Sequence, residues 1–296
     1  DRRDALRRIP RLSGNPGQRP AAQLITEPME PDMSYQHIET ALNEGVALIW
    51  LNRPELRNAL NETLIAELTD AFESAIDDDS VRAILLAGHG KAFCAGADLN
   101  WMKRARDFTP EQNRADTAAL AGLLRTIYES PKPTVARVHG PAFAGGMGLV
   151  TACDIALAST DAKFCLSEVK LGLIPAMISP YVIKAMGEST ARRYFLTAEV
   201  IEAAEAYRIG LIHDLSMPVE LDDKVNEVLG HLVQGGPQAL RETKRLIRDV
   251  SGRAIDDTLL ADTAERIARV RAGDEGQEGI ASFFEKRKPA WVPDQS

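Results

Sequence analysis

The chain has 296 residues, 45% of them hydrophobic, and a formal net charge of -8. That length can bury a full core, and the acidic balance disfavours a general attraction to nucleic acid or anionic lipid, so the expected partner is a small molecule. Three cysteines without CxxC spacing suggest neither a disulfide framework nor a zinc site, and no apolar run is long enough for a membrane span. The expectation is a soluble protein of a reducing, cytoplasmic compartment that carries no metal.

Residues 1–33 are rich in arginine, glycine and proline without helical or strand periodicity, and read as a flexible tail. Arg2, Arg3, Arg7, Arg8 and Arg11 are compatible with an organelle-targeting presequence. The plainer alternative is an extension upstream of a protein that begins at Met29 or Met33.

Regular patterns begin at His37. A run ending at Leu42, the turn-forming Asn43-Glu44-Gly45 and the apolar run 46–51 predict a β-hairpin. From Asn61, Leu64, Ile65, Leu68, Phe72, Ala75 and Ile76 share one face of a helix, with acidic residues opposite. The run 81–87 reads as a buried strand. It leads into a small-residue loop, Cys94-Ala95-Gly96-Ala97, where Asp98 is placed to cap a helix that starts at Leu99.

A second helix over 111–129 leads through Pro131-Lys132-Pro133 to a strand at 134–138, and then to a second small-residue loop, Ala144-Gly145-Gly146-Met147-Gly148. If 149–152 opens a helix, its free N–H groups point back into this loop and favour a negative oxygen. Taken alone, the glycines are read equally well as a tight strand-to-helix turn; two such loops, each after a strand, can converge on one ligand oxygen. Further strands are expected at 155–158 and 163–165. Beyond Pro175 come helices at 180–187, 189–197, 202–208, 220–234, 237–249 and 256–272. The chain is therefore α/β, with a tail over 1–33, a core over 34–220 and a helical region over 221–296.

The two loops, with Glu168 in Ser-Glu-x-x-Leu-Gly-x-Ile-Pro, resemble the crotonase superfamily of acyl-CoA enzymes. Asn52-Arg53-Pro54, Asn58-Ala59-Leu60, Ala152-Cys153-Asp154-Ile155 and Phe284-Glu285-Lys286-Arg287-Lys288 extend the resemblance from about Val46 to Lys288. It implies a ββα spiral core with a helical C-terminal trimerisation region, assembled as a homotrimer or as a hexamer of paired trimers. It also implies that the backbone N–H groups of Ala97 and Gly145 hold a thioester oxygen, where each fixed donor can be worth about 3 kcal/mol as charge grows. Glu168 matches a catalytic glutamate. A second glutamate, usual in hydratases of the family, falls on Gly148. Coenzyme A enters as part of the substrate, and no separate cofactor is implied.

Single-glutamate relatives move a double bond without adding water, which makes a Δ3,Δ2-enoyl-CoA isomerase the alternative to a hydratase. The runs 94–102, 145–150 and 166–182 together resemble methylglutaconyl-CoA hydratases of leucine breakdown, with isohexenylglutaconyl-CoA hydratases close by. Gly148 would then leave room for the carboxylate of a glutaconyl substrate. Ala95, Asp98, Leu99, Trp101 and Met177 are candidate substrate contacts, with core packing the alternative for Trp101. By similarity, Phe283 and Lys286 of a neighbouring subunit help hold the CoA nucleotide. Lys103, Arg104 and Arg106 could meet a substrate carboxylate or phosphates, or simply form a solvated helix face. His139 is read as structural and Cys94 as a core thiol. A non-catalytic acyl-CoA-binding or RNA-binding member is the reading from another class, disfavoured for RNA by the acidic charge.

Overall fold

The computed structural model describes residues 24–25 and 35–292. The hairpin forms as expected, with β1 (Ile38–Asn43) and β2 (Val46–Leu51) antiparallel. Its two-residue turn has φ of 46° at Glu44 and 82° at Gly45, the positive pair that matches the strand twist. Then come α1 (Glu62–Asp77), β3 (Ala83–Gly88), α2 (Leu99–Ala105), α3 (Pro110–Glu129) and β4 (Thr134–Val138). The side chain of Asn61 caps α1, and Thr109 with Gln112 forms a capping box on α3 behind Pro110.

After β4 the chain makes β5 (Ala142–Phe143), α4 (Gly145–Ala152), β6 (Ile155–Ser159) and β7 (Lys163–Cys165). Next are α5 (Ser179–Met186), α6 (Glu188–Thr197), β8 (Ile201–Glu202), α7 (Ala203–Arg208) and β9 (Asp214–Ser216). Four helices close the chain: α8 (Leu221–Gln234), α9 (Pro237–Val250), α10 (Asp257–Ala272) and α11 (Asp274–Glu285).

Six strands form the main sheet in the order β1-β2-β3-β4-β6-β9, parallel from β2 onward, and β5, β7 and β8 make a small second sheet. β2 and β3 are buried at every position, as strands covered on both faces must be. Ile49 and Leu86 of the first face belong to one core cluster with Phe72 of α1, Leu124 of α3, Met147 of α4 and Val182 of α5. Leu48, Leu85 and Leu157 of the second face pack with Leu221, Val225 and Leu229 of α8.

Four expectations change. The helix expected from Leu149 begins at Gly145, so its first turn lies inside the glycine stretch. α11 is an element that the sequence pattern does not announce, and Gly276 and Gly279 in its interior weaken the helical signal. Of the residues expected to form a tail, Leu24 is buried against the second face, and the Ile25 N–H donates to Asn226 Oδ1 at 2.8 Å. The rest of 1–33, with its presequence reading, lies outside the described residues. α8 packs on the sheet, so a boundary at 220/221 runs through the core. The region with almost nothing buried starts at α9, which has no buried residue, while α10 buries Leu259 and α11 buries Ser282.

Candidate active site

The Ala97 loop is fixed by the segment before it. The Leu60 N–H donates to Gly96 O at 2.7 Å and the Asp98 N–H donates to Leu60 O at 2.8 Å, which makes a parallel bridge between Leu60 and Ala97. In such a bridge the two neighbours of Ala97 supply the bonds, and the N–H of Ala97 points the other way. It has no acceptor among the described residues, and Ala97 is exposed. The second loop supplies a donor by another route. Gly145 is the first residue of α4, where the N–H has no partner within the helix, and it too has no acceptor among the described residues.

The two loops are joined directly. Cys94 and Ala142 form a parallel bridge, the Phe143 N–H donates to Cys94 O at 2.9 Å, and the Cys94 N–H donates to Pro141 O at 3.1 Å. A Cβ on Gly146 would lie 2.4 Å from Cys94 O, so only glycine lets the strands come this close. Ala144, just before the donor, has φ 46° and ψ -119°, a conformation that non-glycine residues rarely adopt. It is held there by its N–H to Cys165 O at 2.9 Å. That bond ties the glycine loop to β7, three residues before Glu168.

Glu168 opens a short 3-10 turn, Glu168–Leu171, and is half-buried. Its Oε2 is buried with no hydrogen-bond partner among the described residues. Burial pushes its carboxyl above the ordinary value of 4.5, partly offset by a backbone hydrogen bond. A buried carboxylate oxygen without a partner is costly, and it marks a group kept available for a ligand or a proton.

Gly148 differs from the expectation. A Cβ there would sit 2.2 Å from Ile178 Cγ2 and 3.0 Å from Ile178 Cβ, so the space expected to be open is filled by Ile178. Ile178 is itself buried just before α5, and Met177 beside it is partly buried against the main core. Gly148 is thus a close-packing residue. The side chain of Asp98 is likewise already engaged: it caps α2 through the N–H groups of Asn100 (2.7 Å) and Trp101 (3.2 Å) and pairs with Arg53 at 2.9 Å. Burial raises its carboxyl, but the Arg53 hydrogen bond and the two N–H groups outweigh it and hold the carboxyl below the ordinary value.

The remaining candidates separate into near and far. Ala95 donates its N–H to Arg57 O at 3.0 Å, and Leu99 projects from the start of α2 with 73% of its surface exposed. Trp101 is buried and donates Nε1–H to Asp116 at 2.9 Å, a packing role for most of the ring. Arg104 pairs with Glu62, and Arg106 with Asp107. Phe283 and Lys286 lie at the end of α11, whose main contacts are α9 and α10; Phe283 is exposed, edge-on to Phe284, and Lys286 is the left-handed cap. They are not brought to the loops within one chain. Burial pushes the Cys94 thiol up to about 12 and, with Arg137 nearby, His139 down to about 4, which leaves both neutral. Ile178, Arg53 and Asn58 are the residues that sequence reasoning did not single out as part of this site.

The enoyl-CoA hydratase/isomerase family model matches residues 41–294. A crotonyl-CoA hydratase of Syntrophomonas wolfei is 32% identical over 262 residues, covering 88% of this chain and 99% of that protein. An enoyl-CoA hydratase of Alternaria alternata is 37% identical over 259 residues, covering 85% of each. The crystal structure of an enoyl-CoA hydratase from Shewanella pealeana superposes with a TM-score of 0.85 at 44% identity, covering 88% of this chain and 97% of that one. The chain belongs to the enoyl-CoA hydratase/isomerase family, as an enzyme of enoyl-CoA hydratase type built on the crotonase fold.

Proposed function

We propose that this enzyme adds water across the double bond of a conjugated enoyl-CoA, with the thioester oxygen held by the N–H groups of Ala97 and Gly145 and the protons handled by Glu168. The observation that carries the reading is the buried, unpartnered Oε2 of Glu168 on a segment tied to the glycine loop through Ala144 and Cys165. As a carboxylate, Glu168 takes a proton from water while the oxygen bonds to C3 and electron density moves to the thioester oxygen. The two backbone donors stabilise that charge. Glu168 then returns its proton to C2, so both groups added come from one water and the carboxylate is regenerated.

Within that class the acyl group we favour is 3-methylglutaconyl, giving 3-hydroxy-3-methylglutaryl-CoA, on the resemblance of the runs 94–102, 145–150 and 166–182. The packing of Ile178 against Gly148 removes the room first expected there for the substrate carboxylate, so the carboxylate must lie elsewhere. The same packing favours a second reading, a Δ3,Δ2-enoyl-CoA isomerase, because a lone carboxylate suffices to move a proton. An absorbance assay with crotonyl-, 3-methylglutaconyl- and 3-hexenoyl-CoA separates them. Hydration removes the conjugated enoyl band, and isomerisation of the 3-enoyl ester creates it. Loss of the band with neither conjugated ester would overturn the hydratase reading.

The exposed apolar residues of the last helices, among them Ile247, Leu260, Ile267, Phe283 and Phe284, support assembly into a trimer or a pair of trimers. Light scattering after size exclusion tests this, with a monomer as the opposing result. A cytoplasmic location rests on the cysteine content alone; among the described residues no helix is long and apolar enough to cross a membrane.

A further inference from the structure

Behind the Ala97 loop lies a buried polar network that the proposed chemistry does not touch. Arg53 and Asp98 are paired at 2.9 Å with side chains only 8% and 7% exposed. Arg53 also donates Nη1–H to Ala59 O at 2.5 Å, and its backbone N–H donates to Asn58 Oδ1 at 2.8 Å. Asn58, fully buried with φ 54°, donates Nδ2–H to both His89 O and Ala92 O at 2.9 Å. Segment 53–60 is therefore bonded to segment 89–98 at both ends of the loop: by Asn58 before it and by Arg53 through Asp98 after it. The Leu60 bridge lies between them.

A buried ion pair is a poor source of net stability, since desolvation offsets most of the attraction. Capping α2 needs only the Oδ1 of residue 98, which an asparagine would also supply. What the charge pair adds is a fixed position for Asp98, the residue that follows Ala97, beside the Gly96–Ala97 peptide that carries the Ala97 N–H and is anchored by the Leu60 N–H at Gly96 O. Resting on the reading of Ala97 as an oxyanion donor, we infer that Arg53 is a positioning residue: through Asp98 and Ala59 it sets the direction of the Ala97 N–H toward the thioester oxygen. It touches neither substrate nor reacting atoms.

The test uses Arg53→Met, Arg53→Lys and Asp98→Asn in the full chain. Asp98→Asn keeps the oxygen that accepts from Asn100 and Trp101 but removes the ion pair, and it decides the matter if Arg53→Met does not fold. Two readouts are taken on proteins with parental circular dichroism: the kcat and KM for hydration of crotonyl-CoA, and the infrared C=O stretch of bound butyryl-CoA labelled with 13C at the thioester carbon. Butyryl-CoA has no double bond and reports only on the donors. Misplacement of a reacting group by about 1 Å can cost about 100-fold, so Asp98→Asn and Arg53→Met should lower kcat about 10- to 100-fold with KM changed much less. The downshift of the C=O stretch should shrink in parallel, and Arg53→Lys should recover part of both. Folded variants with parental kcat and parental downshift would overturn the inference. If the parent itself shows no downshift, the oxyanion reading fails and the positioning role fails with it.

Discussion

The proposed donor side of the site and the proposed acid-base side are built differently. On the donor side, two backbone N–H groups are held by loops bonded to each other at Cys94, Pro141 and Phe143, and braced by the Arg53–Asp98 pair. On the other side stands one side chain, Glu168, with Oε2 unpartnered and no second carboxylate at Gly148. Fixed dipoles need no reorganisation as charge develops, so the donors are locked. In the proposed mechanism the proton carrier has to accept and release, which fits an oxygen without a permanent partner.

Removing the carrier tests the difference most severely. Glu168→Gln keeps the shape and loses the base, and general acid-base groups contribute roughly 10²–10⁴-fold, so kcat should fall within that range while the C=O downshift of bound butyryl-CoA persists. A variant that hydrates at the parental rate would remove Glu168 from the mechanism.

The donor side is broken at Gly146 with no change of any polar group. A methyl there meets Cys94 O at 2.4 Å and must push the two loops apart. Gly146→Ala should lose the function of one donor, about 10²- to 10³-fold in kcat, with a reduced C=O downshift. Together with Glu168→Gln, it gives the two sides opposite infrared signatures. A folded Gly146→Ala enzyme with full activity would mean that the loops need not touch.

How much of this is legible in the chain depends on what each part is made of. The strands at 46–51 and 134–138 and the first helix are legible because several consecutive residues repeat one burial pattern. β5 and β8, two residues each, are too short to show a period. Glu168, Ala97 and Gly145 are reached by resemblance, with small residues as the only direct signal for the donors. The positive φ of Ala144 carries no sequence mark, because alanine ordinarily avoids that conformation. Nor does the sequence show that Ile178, thirty positions away, fills the space over Gly148; that is decided by how α5 packs on α4.

The pH response sharpens the acid-base side alone. Burial raises the Glu168 carboxyl in the folded chain above its unfolded value, so the fold prefers the neutral form. The stability this contributes is full below the unfolded value and is lost as pH rises through the folded one. Glu168→Gln, always neutral, should therefore gain in Tm against the parent as pH rises above the ordinary carboxylate value of 4.5. The acid limb of kcat/KM in the parent should lie above the ordinary carboxylate value of 4.5, since the base must be ionised. A limb at or below that value, or a Tm difference independent of pH, would contradict a carboxyl raised by burial.

The smallest effect concerns packing. Gly148→Ala places a methyl against Ile178 Cγ2, and overpacking of this kind costs about 1–3 kcal/mol. Ile178→Ala alone leaves a cavity and costs about 2–5 kcal/mol. If the two residues fill one space, the double variant should be destabilised by less than the sum of the single variants, because each relieves the defect of the other; residues in contact couple by about 0.5–3 kcal/mol. Urea denaturation of the four proteins measures this. Additive losses would mean that α5 can move away from α4, and then the space over Gly148 is open to a larger group after all.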